Sequence, residues 1–152
     1  MTDRPSQPPA RRVRLCRLAL GACTLLLLLA SVLPSDPRAE EGIWAWDKRI
    51  SPRTQNTLHV PAYAVLAALG VWAWWQPGRN VGRATAMFLA ASAYGALLEC
   101  AQAVIPGRYG SISDALLNVL GAALGAVLAL AVGKRVLKKP TTEDTEITEA
   151  KD

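Results

Sequence analysis

A few polar residues with the side chains of general acids and bases interrupt long apolar stretches of this sequence. They are His59, the only histidine in the chain, and the carboxylic acids Glu99 and Asp114. A charge at the centre of a bilayer costs about 2.5–3.5 kcal/mol on insertion scales, so an ionisable group there needs a partner or a function. Because an imidazole beside a carboxylate can take or give a proton, Glu99, His59 and Asp114 are the candidate catalytic residues.

A second set of polar residues has the chemistry to hold an anion. Arg108 follows Pro-Gly in a short turn and offers a fork of N–H donors. The helix expected after this turn presents free amide groups and the positive end of its dipole. Pro-Gly-Arg is also typical of a simple hydrophilic turn, so a structural role stays open. The predicted ligand-binding residues are Arg108, Tyr63, Ser111, Gln102 and Asn118.

Helical spacing places several of these residues on matching faces. One stripe comprises Ser92, Gly95, Glu99 and Gln102, and the other comprises Asp114, Asn118, Gly121 and Gly125. The GxxxG pair of the second stripe predicts close approach of two helices, because small residues let backbones come together. We therefore expect a tapered cleft, narrow where the small residues lie and polar at its open end.

The same residues have structural explanations. Ser111-x-x-Asp114 is a capping box at a helix start. Glu99 can serve as the counter-ion of Arg108, and a lone interfacial histidine is often a hydrogen-bonded structural residue. A metal site made of His59, Glu99 and Asp114 is geometrically feasible, but one histidine and two carboxylates are a sparse ligand set. The sequence therefore predicts no metal and no other cofactor.

The elements that must carry these residues are long apolar segments. The chain has 152 residues, 51% of them apolar and 19% charged, and the apolar residues are concentrated in four windows. The windows are Leu15–Leu33, Leu58–Trp75, Ala84–Ile105 and Ile112–Gly133. A helix needs about 20 apolar residues to cross a bilayer. The sequence thus predicts an all-α integral membrane bundle of four transmembrane helices and excludes a soluble globular domain.

The distribution of basic residues predicts the topology. Twelve of the 17 Lys and Arg residues lie in the two tails, in the second loop and, as Arg17, at the start of the first window, which places both termini in the cytoplasm. We expect disordered cytoplasmic tails at residues 1–14 and 134–152, the latter basic and then acidic, around a membrane domain at 15–133. A cleaved signal peptide is the alternative for the first window, but its apolar stretch exceeds a usual signal core. No nucleic-acid binding is expected, because the basic residues flank apolar segments.

The motifs also have a collective pattern. It reads His59-x3-Tyr63-x2-Leu66, Glu99-x2-Gln102 and Pro-Gly-Arg108-x2-Ser111-x2-Asp114-x3-Asn118-x2-Gly121. This pattern resembles the VanZ-like family of small bacterial membrane proteins. The resemblance implies a multi-pass protein of the bacterial inner (plasma) membrane, and the founding member of the family is linked to teicoplanin resistance. That family usually carries Asp-Lys where this chain has Gln55 and Asn56.

Two functions are consistent with this pattern. The first is a cell-envelope protein whose outward-facing polar cleft binds an anionic lipid or cell-wall precursor headgroup, with the resemblance adding a link to glycopeptide resistance. The alternative is an intramembrane enzyme acting on a lipid-linked phosphate, with Glu99 or His59 as acid or base. Binding is favoured over catalysis because no clear nucleophile is present, and a structural scaffold ranks third. Membrane lipids are the expected partners, and the sequence predicts no oligomeric state.

Overall fold

The chain folds into four helices. The computed structural model describes residues 9–33, 52–76 and 79–137, without the side chains of 52–55 and 134–137. The helices are α1 (Ala10–Val32), α2 (Pro52–Ala73), α3 (Asn80–Gln102) and α4 (Ile112–Leu137), and these described ranges contain no strand. The prediction of an all-helical chain is confirmed.

The helix ends differ from the apolar windows. Residues 10–14 and 134–137, which the sequence assigns to the tails, belong to α1 and α4. Helix propensity and basic side chains let a helix continue past the apolar part of a membrane segment. The rest of both predicted tails lies outside the described residues.

Three of the helices are long and apolar enough to cross a membrane, namely α1, α3 and the Ile112–Gly133 part of α4. The N-terminal half of α2 carries polar residues, among them Asn56 and His59, which reduce its apolar character. Large apolar side chains cover the outside of the molecule, with Leu26 66% and Leu97 68% exposed. An extended apolar surface of this kind is typical of a membrane protein.

Glycines set the distance between α2 and α4. A Cβ atom added to Gly125 would lie 2.6 Å from the Cα of Ala64, and one added to Gly121 would lie 3.0 Å from the Cα of Val60. Side chains of any size are therefore excluded at both positions, and the two helix backbones are in direct contact. The close approach predicted from the GxxxG pair is confirmed.

None of the residues of α1 is buried, but Leu20, Cys23 and Leu27 pack against the core, and polar contacts add to this attachment. The Tyr94 hydroxyl of α3 donates to the carbonyl oxygen of Thr24 at 2.7 Å. At the other end of α1, Nε of Arg17 donates to the carbonyl oxygen of Ala73 at 3.0 Å, and its guanidinium lies 5.8 Å from the Trp74 ring centroid. These contacts hold α1 against the bundle and give the charge of Arg17 a partner.

Candidate functional site

A pocket of about 500 Å³ lies at the end of the bundle where α1 and α3 end and α2 and α4 begin. Six of the predicted site residues line it: His59, Tyr63, Gln102, Arg108, Ser111 and Asp114. The other two, Glu99 and Asn118, are not part of its wall but are buried behind it and bonded to residues that are. The structure therefore brings the eight predicted residues together.

His59 is held from α4 by a buried amide. Its Nδ1 lies 2.8 Å from Oδ1 of Asn118, whose side chain is fully buried. Because an amide oxygen only accepts, Nδ1 donates this hydrogen bond, which leaves Nε2 for other partners. Tyr63, one turn further along α2, stacks on the imidazole with ring centroids 6.5 Å apart. The imidazole is thus held in one orientation, with its Nδ1–H directed at Asn118.

Glu99 joins α3 to the start of α4. Its side chain is buried, 7% exposed, and Oε2 accepts the backbone N–H of Ser111 at 3.0 Å. The turn between the helices makes this contact possible because Gly107 adopts a positive φ of 77°, a conformation that favours glycine. A carboxylate at a helix N-terminus is stabilised by the free N–H groups and the helix dipole.

The capping box predicted at α4 forms only in part. Oγ of Ser111 accepts the backbone N–H of Asp114 at 3.4 Å, as such a box requires. The reciprocal bond would join the Asp114 carboxylate to the N–H of Ser111, but Glu99 already occupies that donor. Oδ1 of Asp114 is buried and has no hydrogen-bond partner among the described residues. Since a buried unpaired carboxylate oxygen is costly, capping alone does not explain Asp114.

Three ionisable side chains from three helices meet beside the pocket. One ring nitrogen of His59 and one carboxylate oxygen each of Glu99 and Asp114 lie within 4.8 Å of one another. An imidazole between two carboxylates can relay a proton, and the same donor set can hold a cation.

Arg108 lies on the pocket wall next to α1. Its Nε donates to the carbonyl oxygen of Leu33 at 3.0 Å, and its Nη2 donates to that of Ala30. These carbonyl groups belong to the C-terminal end of α1, where a helix has no partners of its own for them. Both of these bonds connect the turn before α4 to the end of α1.

The contribution of α1 to the site was not predicted. Leu27, Ala30 and Ser31 line the pocket, and the end of α1 supplies both acceptors of Arg108. The sequence contains only a general indication of this contact. Every helix C-terminus leaves carbonyl groups without a partner, and a nearby basic side chain can donate to them. Nothing in the sequence of α1 marks these three apolar or small residues as pocket residues.

The fold and the site define a helical membrane protein with His59, Arg108 and Asp114 in one pocket at one end of its helices. The family model VanZ/LLP1 matches residues 19–133, and the chain belongs to this family. The resemblance seen in the motifs is therefore confirmed. No curated protein and no solved structure matches the chain significantly.

Proposed function

We propose that the pocket binds the phosphate-bearing headgroup of an anionic lipid or of a lipid-linked cell-wall precursor. Its volume of about 500 Å³ is in the range of small-molecule sites. Its lining combines apolar residues, among them Leu27 and Ala30 of α1, with polar ones such as Arg108. This combination suits an amphiphile whose hydrocarbon chain stays in the bilayer while its headgroup enters the bundle.

The observation that carries the proposal is the position of Arg108. Its guanidinium is fixed on the pocket wall by its bonds to α1, so little side-chain entropy is lost when an anion binds. Arginine is well suited to phosphate because its N–H groups match the spacing of phosphate oxygens. Ser111 and His59 also line the pocket and are further polar groups for a headgroup.

The proposal includes a topology. We place the protein in the bacterial inner membrane, with α2 as a fourth crossing and both termini in the cytoplasm, on the strength of its Lys and Arg distribution. The pocket then faces the outside of the cell, where cell-wall precursors are used. A role in teicoplanin resistance would follow from binding such a precursor, and a change in teicoplanin susceptibility on gene deletion tests that role.

Binding is tested with two ligands that differ only in phosphate, a polyprenyl phosphate and the matching polyprenol. Native mass spectrometry of the detergent-purified protein gives both affinities. Arg108→Gln keeps N–H donors for α1 but removes the charge, and Arg79→Gln removes an exposed charge at the opposite end of α3. Charged hydrogen bonds contribute about 1.5–3 kcal/mol. We therefore expect Arg108→Gln to weaken phosphate binding roughly ten- to hundredfold.

The control defines the outcomes of this test. Arg79→Gln should bind the polyprenyl phosphate as the wild type does, and the polyprenol should bind weakly to all three proteins. Equal binding of the two ligands to the wild type, or equal loss in both variants, would contradict a phosphate site at Arg108.

The second candidate function is catalysis on such a lipid, and the close cluster of His59, Glu99 and Asp114 favours it. In that case one of these groups acts as acid or base while Arg108 stabilises developing negative charge. Release of inorganic phosphate from the polyprenyl phosphate by the wild type, lost in Glu99→Gln, would support the enzyme. Binding without turnover would leave the binding function.

A further inference from the structure

We propose that His59, Glu99 and Asp114 form a binding site for a divalent metal ion, of the class of Zn²⁺ or Mn²⁺. The three residues come from α2, α3 and α4, and their donor atoms lie within 4.8 Å of one another. A nitrogen donor with two carboxylate oxygens is a mixed ligand set that suits these ions. This replaces the expectation from sequence that no metal is bound.

The unsatisfied carboxylate of Asp114 is the first independent support. Its Oδ1 is buried and accepts no hydrogen bond from the described residues, although it lies in a cluster rich in polar groups. Buried polar atoms nearly always have a partner, and an ion is one of the accepted explanations when the protein supplies none. A cation between the three side chains would give this oxygen its partner.

The charge of the cluster is the second support. Two carboxylates a few ångströms apart in an apolar bundle repel each other and lose hydration, which makes the pair costly when both are ionised. A divalent cation balances both charges at once. It also neutralises the negative charge of Asp114 on the pocket wall, which would otherwise repel an anionic headgroup.

The contacts around the cluster are those that orient metal ligands. Metal-bound histidines nearly always donate their second ring N–H to an oxygen, and the imidazole of His59 donates its Nδ1–H to Asn118. Metal-bound carboxylates are in turn hydrogen-bonded, and Oε2 of Glu99 accepts the N–H of Ser111. Two of the three ligands are therefore already held in place by the fold.

The distances require a small adjustment. Two ligand atoms, each about 2.1 Å from one ion, are at most about 4.2 Å apart. The present spread of up to 4.8 Å closes with side-chain movements of less than about 1 Å, within the reach of rotation about the terminal carboxylate bonds. Three protein ligands leave coordination positions open toward the pocket, as in catalytic zinc sites, and a phosphate oxygen can occupy such a position.

Metal binding is tested on the full chain, purified in detergent with its affinity tag removed and stripped with a chelator. The protein is equilibrated with Zn²⁺ or Mn²⁺, and the bound metal is measured by inductively coupled plasma mass spectrometry. We expect about one equivalent per chain in the wild type. Asp114→Asn is expected to lower the affinity at least about tenfold, because it replaces an anionic ligand with a neutral one of the same shape. Arg79→Gln, which changes an exposed residue at the opposite end of α3, should bind like the wild type.

The outcomes separate metal binding from headgroup binding, because no lipid is added. Absence of bound metal in the wild type, or full binding by Asp114→Asn, would overturn the metal site whatever happens with polyprenyl phosphate. Metal binding that depends on Asp114, with no affinity for polyprenyl phosphate, would support the site and remove the proposed function. Should Asp114→Asn fail to fold, Glu99→Gln takes its place, and the wild-type stoichiometry decides in any case.

Discussion

A single added methyl group at the α2–α4 contact should destabilise the protein, and the substitution Gly125→Ala tests this. The new Cβ would lie 2.6 Å from the Cα of Ala64 and closer still to its carbonyl oxygen. Both are backbone atoms, so no side chain can rotate away, and the two helices must separate instead. Gly21→Ala is the matched control, because a Cβ at that position of α1 meets nothing within 4 Å.

The magnitude follows from these contacts. Overpacking of a close-packed interior costs typically about 1–3 kcal/mol, and a clash between two backbones lies at the upper end. In the control the methyl group meets no steric barrier, and replacing a helical glycine by alanine stabilises by about 0.5–1 kcal/mol. Because this helix-propensity gain is common to both variants, we expect them to differ by the cost of the clash, roughly 1–3 kcal/mol in the free energy of unfolding.

The assay is unfolding in mixed micelles by increasing mole fractions of SDS, followed by circular dichroism. The separation of α2 from α4 can also be followed by NMR at the site. The single histidine gives one pair of ring ¹⁵N signals, which depend on the bond between His59 and Asn118. We expect these signals to shift in Gly125→Ala and to stay in place in Gly21→Ala. Equal unfolding curves with unchanged ring signals in both variants would refute the packing of α2 directly on α4.

Two further predictions concern single polar contacts at the pocket. Glu99→Leu should lower the free energy of unfolding of the metal-free protein by about 1.5–3 kcal/mol more than Glu99→Gln, because only the glutamine side chain keeps an oxygen that accepts the N–H of Ser111. Equal effects of the two substitutions in SDS titrations would contradict that bond. Asn56→Lys adds a positive charge at a residue that lines the pocket. It should tighten polyprenyl phosphate binding roughly two- to fivefold in native mass spectrometry. Unchanged or weaker binding would argue against an anion in this pocket.

The fold could be predicted further than the site. Apolar windows were enough for four helices, and the spacing of Gly121 and Gly125 was enough for the direct contact of α4 with another helix. Helical periodicity also placed Glu99 and Asp114 on faces that meet. Such patterns succeed because they reflect the local geometry of one helix and the general chemistry of the bilayer.

The specific partners could not be predicted, because they are chosen in three dimensions. The local pattern at the start of α4 predicted a hydrogen bond from the N–H of Ser111 to Asp114. In the structure this N–H donates instead to the carboxylate of Glu99, which belongs to another helix. Likewise, the N–H groups of Arg108 had several potential acceptors. Their bonds to α1 depend on how α1, which has no buried residue, lies against the bundle. Sequence spacing contains no information on that placement.

The most direct test of the proposed headgroup site uses the one histidine of the chain. Protein labelled with ¹⁵N in the ring of His59 and reconstituted with a polyprenyl phosphate would be studied by solid-state ¹⁵N–³¹P dipolar dephasing. The predicted result is dephasing of the imidazole nitrogens by the lipid phosphorus in the wild type and in Arg79→Gln. This dephasing should be lost in Arg108→Gln. Imidazole nitrogens that show no coupling to phosphorus in the lipid-saturated wild type would contradict the site.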